Sequence, residues 1–146
     1  ILAGAGVRAA VIKHDGHEFE ADVPGTDSHR MKKAGAFGTV VYSGTRFALV
    51  KDQAGLEARD FFGYFPEADI LLLEGQKNST YQKIKVLRQE ISCSPVCSPE
   101  TVLAYVADCQ VSQQGSREPR QVFAFDQLDE VAELAIHHMD AVFFKN

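Results

Sequence analysis

The stretch VRAAVIKHDGHEFEADVPGTDSHRMKKAGA, residues 7–36, decides the fold. It opens as a short run rich in Val, Ile and Ala, which reads as a buried strand of an α/β sheet over residues 7–13. The run stops at Lys13-His14-Asp15 and passes through a polar loop into a helix. In open α/β sheets, ligands bind just beyond the carboxyl ends of the strands. Lys13, His14, Asp15 and His17 therefore stand where an anionic ligand or a metal would sit. A second apolar run, residues 70–73, ends in the same way, in Glu74-Gly75-Gln76-Lys77. Two strands that both release charged groups at their C-terminal ends point to one site between them.

The flanking sequence reads as alternating strands and helices, and so as an α/β layered domain. Residues 1–6 resemble the last turn of a helix closing on Gly4 or Gly6. Pro24-Gly25 marks a turn, and Asp27 or Ser28 can cap a short helix over residues 28–34 that Gly35 ends. Residues 37–42 and 46–51 are β-rich runs joined by Ser43-Gly44-Thr45, a hairpin pattern. Residues 55–65 space Leu56, Phe61, Phe62 and Phe65 as a helix would. The four apolar residues 70–73 imply a core strand buried on both faces, whereas the alternation of residues 83–88 suggests a strand near an edge. Ser98-Pro99-Glu100 is a helix-start signal, but residues 102–107 read equally well as a strand. After a polar loop and a brief strand at 122–125, Asp126 caps a final amphipathic helix to about residue 143.

A chain of 146 residues is the size of a single domain, with 45% hydrophobic and 24% charged residues. Its net charge of -5, from 15 basic and 20 acidic side chains, argues against a broad nucleic-acid or anionic-membrane surface, though not against a local phosphate site. No run approaches the ~18 apolar residues of a membrane span. Cys93, Cys97 and Cys109 make an odd count, which suits free, partly buried thiols in a reducing cytoplasm better than a disulfide scaffold. A zinc site would need a fourth ligand.

These motifs carry a resemblance. VIKHDGHEFEADVPGTDSHRMKKAGA is similar to the signature of the molybdopterin-guanine dinucleotide biosynthesis protein B (MobB) family, through Lys13-His14, His17, Pro24-Gly25, Asp27-Ser28 and Ala34-Gly35-Ala36. DILLLEGQK (residues 69–77) resembles the family's strand ending in Glu-Gly-x-Lys. QKIKVLR (residues 82–88) resembles its Pro-Lys-Ile-x-hydrophobic-x-Arg strand, with Gln82 in place of the usual Pro. Asp108 stands where the family ends a strand in Asp.

The resemblance implies a P-loop NTPase-like fold, with a mostly parallel central sheet plus a β-hairpin. It further implies an accessory role for GTP with Mg²⁺, assisting a MobA-like molybdopterin guanylyltransferase alongside molybdopterin-handling proteins, typically as a homodimer. Glu74 would hold Mg²⁺ or orient a water. Lys13 and His14 would pair with the phosphates, Asp15 and His17 would contact the metal or substrate, Gly75 would sit in the cofactor site, Lys77 would meet a second phosphate or a partner, and Asp108 would accept from the guanine N1–H and N2–H₂. His137 and His138 lie on a helix and cannot point to one site together. The family's phosphate-binding loop, G-x-x-x-x-G-K-[ST], precedes the strand at residues 7–13 and does not occur in these 146 residues. The expectation is a single domain over residues 1–146 whose N-terminal strand, P-loop and most of the first helix lie upstream. The competing expectation is a binding module without nucleotide chemistry: an adaptor for molybdenum-cofactor proteins, or a metal-handling protein using Cys93, Cys97 and the loop histidines.

Overall fold

Residues 8 and 69 start two strands and fasten them to each other. The computed structural model describes residues 1–115 and 118–139. A 3₁₀ turn over Leu2–Ala5 closes on Gly6, whose φ of 78° is the left-handed conformation that glycine adopts at a helix end. β1 (Ala9–Lys13) follows, then α1 (Asp27–Lys33), the strands β2 (Gly38–Tyr42) and β3 (Phe47–Lys51), and a 3₁₀ segment over Ala58–Tyr64. Next come β4 (Ile70–Glu74), β5 (Lys83–Leu87), a 3₁₀ turn at Pro99–Thr101, β6 (Val102–Ala107), β7 (Gln121–Phe123) and α2 (Leu128–Met139). Residues 140–143, which the sequence assigns to the end of the last helix, lie outside the described residues.

β1 and β4 pair in parallel, from Ala9 opposite Ile70 to Lys13 opposite Glu74. The carbonyl of Arg8 accepts from the amides of Asp69 (2.8 Å) and Ile70 (3.3 Å). The Asp69 carboxylate accepts in return from the Arg8 backbone N–H (2.7 Å), Nε (3.0 Å) and Nη2 (2.8 Å). A slip of one residue would turn every side chain to the opposite face. With both backbone and side chains tied at the strand starts, that slip is blocked.

β5, β6 and β7 form a second parallel sheet, and β2 and β3 form a separate antiparallel hairpin. The expected single central sheet is therefore two parallel pieces plus the hairpin. The burial expected for residues 70–73 is also corrected. Ile70, Leu71 and Leu73 are only half-buried and Leu72 is exposed. The apolar strand buried on both faces is β6, which has β5 and β7 on its two edges. One face of β6 packs Val102, Tyr105 and Ala107 with Leu87. The other packs Ala104 and Val106 with Phe123, under Val131 and Leu134 of α2. A register shift between Lys83 and Ile84, which pair with Val102 and Ala104, leaves Leu103 as the extra residue and puts Val102 on the Tyr105 face.

Local chemistry explains the remaining differences. Thr26, rather than Asp27 or Ser28, caps α1, its hydroxyl accepting from His29 N–H. Ser28 Oγ instead donates to Asp22 Oδ1 at 3.0 Å. The helix expected at 55–65 is a 3₁₀ segment over Ala58–Tyr64 that starts from a capping box between Glu57 and Asp60. At 98–101 the helix-start signal yields only one turn before β6. The capping role given to Asp126 is not seen; Gln127 folds back, its Oε1 accepting from Ala124 N–H at 2.8 Å.

The bidentate contact with Arg8 lowers the Asp69 carboxyl to about 2 from its ordinary 3.8. Its stabilising contribution is thus complete above the unfolded value and is lost as pH falls from about 4 toward about 2. Asp69→Asn is expected to melt below the parent protein near neutral pH, with the gap closing across that acidic window. Thermal denaturation of the two proteins as a function of pH checks this.

Candidate functional site

The register set at residues 8 and 69 carries five residues along to the opposite strand ends. There Lys13 Nζ lies 3.4 Å from Glu74 Oε2, with both side chains largely exposed. The amide of His14 donates to the Glu74 carbonyl at 2.9 Å, which extends the parallel ladder one residue past β1. Gly75 follows with φ +83°, and a Cβ there would overlap the carbonyl oxygen of His14. Only glycine lets the two backbones cross this closely. A cation and a carboxylate thus meet at the C-terminal ends of two parallel strands, with the His14 backbone bonded beside them, where ligands of open α/β sheets bind.

The other sequence-derived residues fall around this rim or away from it. Asp15 and His17 lie in the exposed loop after β1, where Asp15 Oδ1 accepts from the His17 amide at 3.1 Å. The loop carrying Lys77 is drawn in by Lys83, whose Nζ donates to the carbonyls of Ser79 (2.6 Å) and Lys77 (3.3 Å). Asp108 sits past the end of β6, in the other sheet, and its Oδ1 accepts from the Gln89 amide at 2.7 Å. Among the described residues no hydrogen bond or ion pair joins Asp108 to Lys13 or Glu74. The Arg8–Asp69 clamp was missed from sequence, although a charged residue just ahead of each apolar run was its signal.

A groove of about 610 Å³ opens between the two sheets. Ile70, Leu71 and Leu73 of β4 line one side, Lys83 and Ile84 of β5 the other, and α2 closes one end through His138 and Met139. β4 pairs only with β1, and β5 only with β6, so each presents an open edge among the described residues.

The cysteine expectation is corrected. Cys93 and Cys109 are bonded to each other, and Cys97 alone keeps a free thiol. Their Cα atoms lie 6.1 Å apart, inside the range a disulfide spans, because the loop after β5 folds back onto the end of β6. Among the described residues no group of three or more His, Cys, Asp and Glu side chains is arranged to hold a metal ion. The metal-handling alternative gains no support from the cysteines. No described helix is long and apolar enough to cross a membrane.

Parallel strands, an antiparallel hairpin and the helices α1 and α2, with charged groups at the tips of β1 and β4, make this a mixed α/β protein. The family model of molybdopterin guanine dinucleotide synthesis protein B matches residues 1–108, and the chain belongs to that family. Among curated relatives, the molybdopterin-guanine dinucleotide biosynthesis adapter protein of Escherichia coli (strain K12) is 36% identical over 92 residues, 60% of this chain and 53% of that protein. The adapter protein of Haemophilus influenzae is 32% identical over 89 residues, 59% of this chain and 50% of that protein. The chain thus spans about half the length of these relatives. The crystal structure of Bacillus subtilis MobB shares the fold at a TM-score of 0.66 and 24% identity, over 92% of this chain and 82% of that one. A MobB homologue from Bacillus stearothermophilus does so at 0.63 and 16%, over 97% and 83%.

Gly75→Ala is expected to destabilise the fold by about 1 kcal/mol or more, because the side chain meets both the positive φ and the His14 carbonyl. Gly16→Ala, in open space, should change stability by no more than about 0.5 kcal/mol. Urea unfolding of the two variants checks the contrast.

Proposed function

We propose that this chain is the nucleotide-facing part of an adapter in molybdopterin-guanine dinucleotide biosynthesis, which binds GTP with Mg²⁺ at the tips of β1 and β4 and presents it to a MobA-type guanylyltransferase. The observation that carries the reading is the pairing of Lys13 with Glu74 across the parallel ladder, with His14 bonded to the Glu74 backbone. Mg²⁺ is held in nucleotide sites by one or two carboxylates together with phosphate oxygens and water, and Glu74 supplies such a carboxylate. When bound, Mg²⁺ neutralises charge on the triphosphate. Lys13 and His14 offer donors to phosphate oxygens from the same rim, and Lys77, Asp15 and His17 border it. Asp108 takes the guanine, its carboxylate accepting from N1–H and N2–H₂.

These residues fit the metal and the outer phosphates. A cradle of backbone N–H groups with a Lys-[Ser/Thr] pair is the other half of such a site, and residues 1–146 do not contain it. Such a loop and its strand would fit the groove between β4 and β5, whose two open edges would gain a shared neighbour. None of the assigned residues is an arginine that could stabilise a phosphoryl-transfer transition state, so turnover of GTP is expected to be slow and the role is that of an adapter. A second copy of the chain is assigned to the β2–β3 hairpin, one face of which exposes Val40, Tyr42, Phe47 and Leu49. A lone two-stranded hairpin with such a face is marginal in water.

Thermal melting of the intact natural protein tests the nucleotide. With Mg²⁺ present, GTP at about 100 times its Kd should add about 2.7 kcal/mol, a rise of several degrees, and ATP should add less. Glu74→Gln should lose the Mg²⁺-dependent share while melting normally without nucleotide, since its side chain is exposed. No response to GTP would end the reading. Sedimentation tests the pairing: the parent should be a dimer and Phe47→Glu a monomer, and a monomeric parent would remove the hairpin from the proposal.

A further inference from the structure

Asp108 is the only residue at the C-terminal edge of the β5–β6–β7 sheet that the nucleotide reading uses, yet two more chemically distinctive side chains stand beside it. Leu87 pairs with Ala107, and Val106 with Phe123. Counting on from these pairs brings Arg88, Asp108 and Phe125 to one level across three adjacent strands. The Arg88 guanidinium reaches over the end of β6 and lies on the Phe125 ring, its Cζ 4.7 Å from the centroid. Among the described residues it forms no ion pair with Asp108 or any other carboxylate, and Arg88 stays exposed. Cation and carboxylate are thus separately available at one edge.

All three are fixed by their surroundings. The Arg88 carbonyl accepts from the amides of Ile91 (3.0 Å) and Ser92 (2.9 Å), which closes a turn at the end of β5. Phe125 packs against the core cluster of Ala104, Val106 and Phe123, in a turn closed by the Gln127 amide donating to the Ala124 carbonyl at 3.2 Å. Asp108 Oδ1 accepts from the Gln89 amide at 2.7 Å, and the Cys93–Cys109 disulfide ties the same loop to the next residue. Asp108 Oδ2 makes no hydrogen bond among the described residues, and an ionised carboxylate has about four lone-pair sites to offer.

Guanidinium planes and aromatic rings are surfaces on which planar heterocycles stack, whatever their edge carries. A carboxylate reads the edge: adjacent N–H and NH₂ donors match its two oxygens, whereas adenine turns a ring-nitrogen acceptor toward it. The ring that satisfies plate and edge together is a fused aminopyrimidinone, which guanine and pterins have in common. We propose that Arg88, laid on Phe125, is the stacking plate for such a ring, whose donor edge pairs with Asp108. The guanine arm rests on the role already given to Asp108; the plate itself needs neither triphosphate nor Mg²⁺.

Ligand-observed NMR titration of the intact natural protein with guanosine, pterin and adenosine, without phosphate or Mg²⁺, tests it. Guanosine, pterin or both should bind ahead of adenosine, and whichever binds names the source of the ring. Arg88→Ala and Arg88→Lys should each weaken that binding about tenfold or more while leaving the preference over adenosine, since stacking does not read the edge. Asp108→Asn should instead lose the preference. An Arg88 that only held Asp108 in position would change the preference rather than the affinity, and that result would overturn the proposal. So would parental affinity in Arg88→Lys, which keeps the charge without the plane, or no binding of either aminopyrimidinone to the parent. Titration with GTP and Mg²⁺ separates the two readings. Parental GTP affinity in Arg88→Ala would remove the plate and leave the nucleotide reading standing. Pterin binding lost in Arg88→Ala, in a protein that ignores GTP, would uphold the plate and end the nucleotide reading.

Discussion

The reciprocal clamp between Arg8 and Asp69 is the constraint on which the charged rim depends. Parallel strands have no tight turn to set their register, unlike the β2–β3 hairpin, whose short loop fixes its own pairing. Here the register is set at the strand starts, where backbone and side chain bond in both directions. An exposed ion pair alone adds little stability. Its value is positional: Lys13 meets Glu74 only in this register, and the crossing of Gly75 over the His14 carbonyl holds the other end.

The division of the parallel strands into two sheets shapes the rest of the molecule. β6, with neighbours on both edges and cover on both faces, carries the buried core. β4 is as apolar in composition, yet it stays partly exposed beside the groove it shares with β5. The strand-tip groups therefore belong to the less buried half of the protein, whereas Asp108 belongs to the better packed half. A ligand touching both would bridge the two sheets.

Membership of the molybdopterin guanine dinucleotide synthesis protein B family gives this arrangement a context, since the curated relatives are adapter proteins of molybdopterin-guanine dinucleotide biosynthesis. The rim is preorganised by backbone bonding, and the loop beside Asp108 is held by one hydrogen bond and one disulfide.

Much of this was legible in the sequence because it follows from local rules. The apolar runs that stop at Lys13 and Glu74, the glycine at 35, and the hairpin turn at 43–45 each encode their conformation within a few residues. Other features were not legible, because they depend on which residues far apart in the chain become neighbours. The pairing of Cys93 with Cys109 needs the loop after β5 to fold back onto β6, and an odd count of cysteines gives no hint of it. The runs at 70–73 and 102–107 look alike as strings, and only the number of strands and helices packed around each decides which is buried. By itself the sequence determined most element types, though not the 3₁₀ segment at Ala58–Tyr64, and the charged groups at the strand ends, since backbone conformation and hydrophobic pattern are largely local properties. The tertiary structure alone decided the register that joins Lys13 to Glu74, the disulfide and the location of the core, because each is a contact between segments that covalent sequence leaves far apart.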